Sequence, residues 1–319
     1  MTPPEAAVFD RWRHRFAVTT AGCTLLLIFI GGLVTSTGSG LAVPDWPLSY
    51  GRLMPPMVGG VFFEHGHRMA ATFVGLLTTI LAVWTARREP RAGVRRLAWA
   101  ALAAVVAQGV LGGLTVKLLL PTSVSVAHAC LAQTFFCIVI ALAYSTSPEF
   151  IDARAAEEDR AGVGPAAALA TGVVFVQLAL GAVMRHIGAG LAIPDFPLAS
   201  GRLVPPFDAP GVAVHFAHRV GALVVLAAAV HILVRARRAS DPRLVRTASL
   251  ALALVVVQIG LGGATVLSGR AVVPTTAHVA VGAAVLGTCW LATLRAFRLL
   301  RRRDRLAATA SRLGVAVTS

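Results

Sequence analysis

Apolar residues occur along this chain in runs long enough to cross a membrane. A helix needs about 20 consecutive apolar residues to span roughly 30 Å of hydrocarbon, and eight such runs can be marked off. They cover residues 16–34, 69–86, 97–116, 123–144, 165–184, 212–234, 248–266 and 275–294. The pattern predicts an all-α integral membrane protein with eight transmembrane helices.

The polar segments between the spans repeat. Residues 38–56, GSGLAVPDWPLSYGRLMPP, and 188–206, GAGLAIPDFPLASGRLVPP, agree at 13 of 19 positions. QGVLGGLTV from Gln108 and QIGLGGATV from Gln258 keep the same offset of 150. Because each half holds an even number of spans, both halves enter the membrane in the same direction. We therefore expect two tandem four-helix bundles related by a pseudo-two-fold along the membrane normal.

The repeat also divides the chain. We expect an N-terminal four-helix half at residues 1–146, a cytoplasmic linker at 147–164 and a C-terminal four-helix half at 165–319. The linker is the acidic, alanine-rich connection between the fourth and fifth spans. Transporters of the parallel-repeat type share this organisation, so the repeat alone does not name a function.

Positive charge indicates the topology. Of 29 Lys and Arg residues, 22 fall in the N-terminal tail, in the 2–3, 4–5 and 6–7 connections and after the eighth span. Since cytoplasmic segments carry the excess of Lys and Arg, we expect both termini in the cytoplasm and the protein in the cell membrane. The first apolar run is expected to be a retained helix rather than a cleaved signal.

The composition agrees with a membrane location. Only 13% of the residues are charged, which is too few to coat a soluble protein of this size. The net charge of +15 comes from arginines spread over every cytoplasmic loop without stacking aromatic residues. That pattern indicates contacts with anionic lipid and argues against nucleic acid as a partner.

Four of the nine histidines occupy equivalent positions in the two halves. His67 and His218 lie at the outer mouths of spans two and six, and His128 and His278 lie near the outer ends of spans four and eight. Two imidazoles that face each other across a bundle core suit the two axial positions of a haem iron. A satisfied polar group is the alternative for one histidine, but four at equivalent depths favour a functional role. Zinc or copper stays open, although two histidines make a poor tetrahedral site.

One carboxylate distinguishes the halves. Glu64 lies three residues before His67 and therefore shares its helix face, whereas His215 takes this place before His218. We expect Glu64 to act as a general base in an apolar setting, at the edge of a group held by His67. A helix-start carboxylate that is stabilised by the helix dipole is the alternative.

Other residues of the repeat are candidates for binding. Arg68 and Arg219 directly follow His67 and His218, and we expect them either to pair with haem propionates or to anchor at the lipid interface. The remaining candidates are the loop aromatics, which would cap a haem or lie at the interface, and two glycine pairs, which leave room for a helix or a porphyrin: Trp46, Phe196, Gly112–Gly113 and Gly262–Gly263.

The combined motifs resemble those of the haem A synthase family of bacteria and mitochondria. GSGLAVPDWPL, then EHGHR, then a histidine heading the fourth span, and the same pattern in the second half all agree in order and spacing. The resemblance covers all eight spans. It implies an oxidoreductase that oxidises the C8 methyl of haem O, through a hydroxymethyl intermediate, to the formyl group of haem A used by terminal oxidases.

The resemblance also implies which half does what. His67 and His128 would ligate haem O as the substrate in the N-terminal half, and His218 and His278 would ligate a permanent haem b in the C-terminal half. With both axial positions filled, we expect oxidation to begin at the macrocycle and its methyl, and Glu64 to take a proton from the methyl or from an attacking water. A haem O synthase and an electron carrier in the membrane are the expected partners.

The sequence departs from the family pattern in two places. Many members carry a cysteine pair in the first outer loop where this chain has Val43 and Ser49, and its four cysteines all fall inside predicted spans. A loop disulfide or a thiol relay is therefore not expected. Arg185 of the second half corresponds to Thr35 of the first.

Two other functions stay open. A bis-histidine di-haem electron-transfer protein would use the same four histidines, but it has no evident use for Glu64 in one half only. A parallel-repeat transporter would need a substrate path near the midplane, whereas the ionisable residues here cluster at the outer mouths.

Overall fold

The computed structural model describes residues 8–152 and 157–301. Over these ranges the predicted helical membrane protein is confirmed, with eight helices long and apolar enough to cross a bilayer. They are α1 (Arg11–Ser36), α2 (Gly60–Arg88), α3 (Ala92–Lys117), α4 (Thr122–Ser145), α6 (Val163–His186), α7 (Pro210–Ala239), α8 (Pro242–Leu267) and α9 (Val272–Leu299). The remaining elements are the short helix α5 (Pro148–Asp152), a 3-10 turn (Ala189–Leu191), and two strands, β1 (Glu157–Glu158) and β2 (Leu300–Arg301), which pair in parallel.

The second helix begins earlier than the apolar pattern predicts. α2 begins at Gly60, whereas the apolar run begins at residue 69. The prediction was wrong at this boundary because a hydropathy window stops at charged residues, while Glu64 and Arg68 neutralise each other one helical turn apart. Glu64 and His67 therefore lie within the first turns of a helix and not before it.

Side-chain caps define the starts of two helices. Asp10 accepts hydrogen bonds from the backbone N–H groups of Trp12 and Arg13, at 3.0 and 3.1 Å, at the start of α1. Asp241 caps α8 in the same way, and Pro242 follows it at the first helical position. These residues satisfy N–H groups that lack partners within the helix, so each helix has a fixed beginning.

Each half is a ring of four helices. In the first half, neighbours in the sequence pack side by side and α4 closes the ring against α1. In the second half α6, α7, α8 and α9 pack in the same order, and α9 closes against α6. As a result α2 lies opposite α4, and α7 lies opposite α9, across the two bundle cores.

The halves meet through their first and last helices. α1 packs on α9, α4 packs on α6, and α4 also packs on α9. Exchange of the two halves maps the first pair onto the second and leaves the third unchanged, which is compatible with a two-fold relation. Trp290 donates to the carbonyl of Cys137 at 2.8 Å across this interface, and Arg185 donates to Gly32 O at 3.2 Å and to Ser36 Oγ at 3.1 Å.

Many small residues lie inside the bundles, beside larger ones such as Leu81 and Phe135, and many other large apolar residues lie on the outside. Leu26, Phe73 and Leu223 are 56%, 54% and 62% exposed, as expected for side chains that face lipid. Because lipid tails are as apolar as leucine, helices in a bilayer associate mainly by close packing, which small residues permit. Fully buried alanines are found in both halves: Ala17, Ala98, Ala101, Ala167, Ala170, Ala248 and Ala251.

Ion pairs join the helix ends on the side of the bundles where α1 begins. Glu89, just after α2, pairs with Arg13 at 3.0 Å and with Arg91 at 2.6 Å. The side chains of Glu89 and Arg13 are fully buried. Burial alone would raise the pKa of Glu89, but the hydrogen bonds and charges of the two arginines outweigh this effect and hold the pKa below its usual value. The side chain of Glu149 in α5 pairs with Arg295 of α9 at 2.9 Å.

Part of the predicted organisation lies outside the described residues. This applies to residues 153–156 of the expected linker and to residues 302–319 of the expected C-terminal half. The following arginines counted on the cytoplasmic side lie there too: Arg154, Arg302, Arg303, Arg305 and Arg312.

Candidate functional site

The outer loop of each half is folded around an aspartate. Asp45 accepts hydrogen bonds from the backbone N–H groups of Tyr50 at 2.7 Å and Gly51 at 2.8 Å. Both residues have positive φ, 54° and 67°, a conformation that glycine adopts easily. The hydrogen bonds from Gly51 and Tyr50 lower the pKa of Asp45. The carboxylate therefore holds the turn in its ionised form.

The second outer loop has the same geometry. Asp195 accepts from Ser200 N at 2.7 Å and from Gly201 N at 2.8 Å, and these bonds lower its pKa as well. The peptide bonds Trp46–Pro47 and Phe196–Pro197 are both cis. The sequence repeat thus corresponds to a repeat of detailed structure.

Arg68 fastens the first loop to α2. Its guanidinium donates to the carbonyls of Asp45 at 2.7 Å and Leu48 at 2.9 Å, and to Val43 O at 3.2 Å. It also pairs with Glu64 at 2.6 Å. These bonds engage both terminal nitrogens, and Nε carries the remaining one of the five N–H donors. The expected contact between Arg68 and a haem propionate stays a prediction.

Arg219 fastens the second loop in the same way. It donates to Leu198 O at 2.7 Å, to Asp195 O at 2.6 Å and to Ile193 O at 3.1 Å. Its guanidinium also lies 5.9 Å from the ring centre of Phe196. The position that follows each outer histidine therefore has a structural task in both halves, and its role toward a haem stays a prediction.

Glu64 lies beneath the first loop. Its carboxylate is 4% exposed; Oε2 accepts a hydrogen bond from the N–H of Val43 at 2.8 Å, and Oε1 accepts from Arg68. Within this buried setting a cation and a backbone donor both lie against the carboxylate, and such partners favour its ionised form. Both oxygens of Glu64 are therefore held in place, and its role as a base stays a prediction.

His215 occupies the corresponding place in the second half. It is 3% exposed, and its Nδ1 accepts a hydrogen bond from the N–H of Ile193 at 3.2 Å. Ile193 is the repeat equivalent of Val43. A single loop N–H is therefore satisfied by a carboxylate in one half and by a neutral imidazole in the other.

His218 and His278 face each other across the second bundle. Their ring centres are 6.4 Å apart and their planes make an angle of 64°. A metal ion lies about 2 Å from each imidazole nitrogen that binds it, so two rings on opposite sides of one ion have centres roughly 6 Å apart. The observed separation fits one metal ion between two axial imidazoles.

His67 and His128 project from the diagonal helices of the first bundle, near enough to each other to interact electrostatically. The Nδ1 atoms of both rings are buried and have no hydrogen-bond partner. In the second half the corresponding atoms have partners: His218 Nδ1 lies 3.0 Å from the side-chain nitrogen of Gln177, and His278 Nδ1 lies 3.2 Å from the carbonyl of Gln258. The two histidine pairs thus share their placement and differ in their support.

A glycine lies beside each of the four rings. A methyl group built on Gly31 would lie 3.1 Å from Cε1 of His67, and one on Gly181 would lie 2.9 Å from Cε1 of His218. The first glycine of each Gly-Gly pair has the same relation to the other two histidines. A methyl group on Gly112 would lie 3.3 Å from Cε1 of His128, and one on Gly262 would lie 3.2 Å from Cε1 of His278. Side chains at these positions would displace the rings from the bundle core.

The second glycine of each pair accommodates a loop aromatic. A methyl group on Gly113 would lie 2.6 Å from the indole of Trp46, and one on Gly263 would lie 2.7 Å from the ring of Phe196. The first glycine of each pair therefore makes room for a histidine ring and the second for a loop aromatic, and the expected close approach of a helix or a porphyrin stays a prediction. Trp46 and Phe196 cover α3 and α8 at the outer end of each bundle.

Sequence reasoning missed the glutamines. Gln108 and Gln258 donate to the backbone carbonyls of His128 and His278 at 3.0 and 2.9 Å, and Gln177 donates to that of His218 at 2.7 Å. The repeated QGVLGG and QIGLGG segments were a signal for the first two. Gln177 has no counterpart in the first half, so the repeat gave no signal for it.

Another histidine, His65, contacts the first loop. His65 lies 2.8 Å from the hydroxyl of Ser49 and helps to hold the first loop.

Between residues 8 and 152 and between 157 and 301, no three His, Cys, Asp or Glu side chains gather as a metal-ion site. Among the described residues, neither histidine pair therefore has a third protein ligand for zinc or copper beside it, whereas a bis-histidine iron porphyrin needs only two.

Comparison with known proteins gives the same assignment. The chain matches the COX15-CtaA family, described as cytochrome oxidase assembly protein, over residues 14–60 and 58–290. It is similar to the heme A synthase of Symbiobacterium thermophilum, with 32% identity over 258 residues, which is 77% of this chain and 83% of that protein. It is also similar to the heme A synthases of Shouchella clausii, 32% over 270 residues (81% and 87%), and Halalkalibacterium halodurans, 31% over 271 residues (80% and 87%). The chain therefore belongs to the COX15-CtaA family of cytochrome oxidase assembly proteins.

Proposed function

We propose that this protein is a haem A synthase, an oxidoreductase that converts the C8 methyl of haem O to the formyl group of haem A through a hydroxymethyl intermediate. The observation that carries the proposal is the asymmetry of two otherwise equivalent histidine pairs. Only the N-terminal pair has a buried carboxylate, Glu64, one turn from an expected ligand. The similarity to proteins named heme A synthase supports the same reaction.

The two halves have separate tasks in this proposal. His67 and His128 hold the substrate haem O in the N-terminal half, residues 1–146. His218 and His278 hold a haem b in the C-terminal half, residues 165–319, where the 6.4 Å ring separation supports one iron between them. Residues 147–164 link the halves on the cytoplasmic side. A bound haem supplies a redox-active iron and, in the N-terminal half, the methyl group that is oxidised.

Glu64 is the catalytic base. Each stage of the oxidation removes hydrogen from the methyl carbon, so a proton acceptor is needed beside the porphyrin edge. Arg68 and the N–H of Val43 keep the carboxylate ionised and fix its direction. His215 has no equivalent task, because Nδ1, the one basic nitrogen of a neutral imidazole, already accepts the hydrogen bond from Ile193.

The loop closes the outer end of the substrate site. The bonds from Arg68 to the loop carbonyls and the packing of Trp46 on Gly113 hold the loop over α2 and α3. Bulk solvent is thereby kept away from Glu64 and from the reacting methyl, which strengthens the electrostatic effect of the carboxylate. In this proposal Arg68 and Arg219 can also reach a propionate through their remaining N–H groups.

The setting follows from the topology. We infer a location in the cell membrane with both termini in the cytoplasm, which places the outer loops on the opposite side. A haem O synthase would deliver the substrate, and an electron carrier in the membrane would accept the electrons removed from the methyl group. The distribution of Lys and Arg and the eight apolar helices support this arrangement.

Identification of extracted haems tests the function directly. The chain is expressed with and without a haem O synthase in a host that lacks haem A, and the haems are identified by mass. Haem A or its hydroxymethyl precursor is expected only when both proteins are present. Haem b alone, with a bis-histidine spectrum, would contradict the proposal and favour an electron-transfer protein.

A further inference from the structure

The outer histidines of the two halves differ in what supports them. The side-chain amide nitrogen of Gln177 lies 3.0 Å from Nδ1 of His218, and it also donates to His218 O at 2.7 Å. At the equivalent position α1 has Leu27, whose side chain packs in the apolar core of the first bundle. Accordingly, Nδ1 of His67 is buried without a partner.

A slot between α6 and α7 holds this glutamine. Gln177 lies one turn before Gly181, the glycine that makes room for the His218 ring. On the facing helix, a methyl group built on Gly221 would overlap the amide oxygen of Gln177. The first half has Ala70 where the second half has Gly221. The glutamine and the glycine that admits it therefore occur together in one half and are both replaced in the other.

A hydrogen bond at this atom affects metal binding. A histidine that binds a metal through one ring nitrogen is oriented by the hydrogen bond at its other nitrogen, and loss of such a partner typically lowers metal affinity about 10- to 100-fold. The amide nitrogen of Gln177 contacts both Nδ1 and the main-chain carbonyl of His218, so it holds the ring at one angle and leaves Nε2 as the nitrogen without this contact. His67 has no group of this kind.

We propose that Gln177 is a positioning residue that retains the haem of the C-terminal half by fixing the ring of His218, and that Leu27 leaves the haem of the N-terminal half exchangeable. The inference rests on the proposed haem sites and adds a reason why the two haems stay bound for different lengths of time. A substrate site must release its product, whereas a cofactor site has to keep its haem. The residue at this position of the repeat, Leu27 in one half and Gln177 in the other, therefore makes one haem exchangeable and the other retained.

Haem loss from each half, measured separately, tests the proposal. In a His67→Ala, His128→Ala background only the C-terminal pair can load, and transfer of ferric haem from the purified full chain to excess apomyoglobin gives its dissociation rate. Gln177→Leu is expected to speed this loss about 10- to 100-fold and to shift the midpoint potential, because the ring is no longer held at one angle. Gln133→Leu is the matched control: it removes a buried glutamine with no hydrogen bond to a histidine anywhere in the described chain, and it should change neither value.

The reverse exchange tests the N-terminal half. In a His218→Ala, His278→Ala background, Leu27→Gln combined with Ala70→Gly is expected to slow haem loss. If Gln177→Leu does not yield folded protein, Gln177→Met keeps the length of the side chain without its amide and should show the same faster loss. An unchanged rate and potential in the folded Gln177 variant would overturn the inference while leaving the proposed function intact. Failure of the parent chain to bind any haem would instead overturn the proposed function.

Discussion

Glu64 and Val43 are joined by a 2.8 Å hydrogen bond in which the loop N–H donates to the helix carboxylate. In the other half, the equivalent N–H of Ile193 donates to His215. The fold therefore requires an acceptor at this position and not a charge. In the proposed reaction, the half that has a carboxylate at this position is the one that has the base.

Glu64→Gln is expected to abolish turnover while haem stays bound. The amide oxygen of glutamine can still accept from Val43, so the loop should keep its place, but an amide is not a base at neutral pH. We expect a loss of at least about 100-fold in haem A formation, which is within the range for a general base. Haem content and product can be measured by mass in the same sample.

His215→Gln is the control for this substitution. It keeps an acceptor for the N–H of Ile193 and lies in the half without the proposed base, so haem A should still form. Full activity in Glu64→Gln would remove Glu64 from the mechanism and leave it the role of a loop acceptor.

Gly31→Ala is expected to weaken haem binding in the N-terminal half. The added methyl group would lie 3.1 Å from Cε1 of His67, so the ring has to move by a few tenths of an ångström. We expect roughly tenfold weaker binding, as for other changes that misorient a metal ligand. Gly22→Ala in the same helix meets no atom within 4 Å and should bind haem as the parent does. Equal affinities in the two variants would show that Gly31 does not position His67.

Glu89→Gln is expected to destabilise the protein by about 3–5 kcal/mol, because it leaves Arg13 buried without its countercharge. Unfolding in detergent, followed by circular dichroism, measures this loss. Glu149→Gln breaks a more exposed pair with Arg295 and should cost about 1 kcal/mol or less. Similar losses in the two variants would contradict the special role of the buried pair.

The outer turns should weaken in acid. The pKa values of Asp45 and Asp195 are lowered in the folded protein by backbone hydrogen bonds. A lowered pKa stabilises the folded state above the unfolded carboxyl pKa of about 3.9, and this contribution is lost as the pH falls through the folded value. The melting temperature should therefore depend less on pH below about 5 in an Asp45→Asn, Asp195→Asn double variant than in the parent. Asp208→Asn should keep the parent profile, and a profile for the double variant that matches the parent would contradict the assignment.

Most of the fold could be predicted from the sequence because a bilayer allows few choices. Eight apolar runs and one internal repeat were sufficient for the number of helices and for two four-helix halves. The start of α2 could not be predicted, because the charges of Glu64 and Arg68 cancel only when the helix has formed and the loop carbonyls have docked. A window of hydropathy does not include such pairing.

The site was predicted in part. The four histidines stood out because they occupy matching positions in the two halves of the repeat. Glu64 stood out because the second half has His215 in its place. Arg68 and Arg219 were expected to contact a haem or the lipid interface. Both also donate hydrogen bonds to carbonyls of their own loop, a role that depends on where those carbonyls lie in the folded structure. Gln177 could not be found from the repeat, since its importance lies in a partner that His67 lacks.

The packing of α1 on α9 has a consequence for how the protein is made. A methyl group built on Gly32 of α1 would lie only 3.3 Å from Val279 of α9, so the earliest of these spans is covered by the latest. During synthesis α1 and α4 leave the ribosome long before α9, and until α9 is made part of that side of the first bundle faces lipid or the insertion machinery. The interface between the halves is therefore completed only once α9 has been made, and a ribosome that stalls before α9 would leave the first bundle open on the side where Val279 belongs.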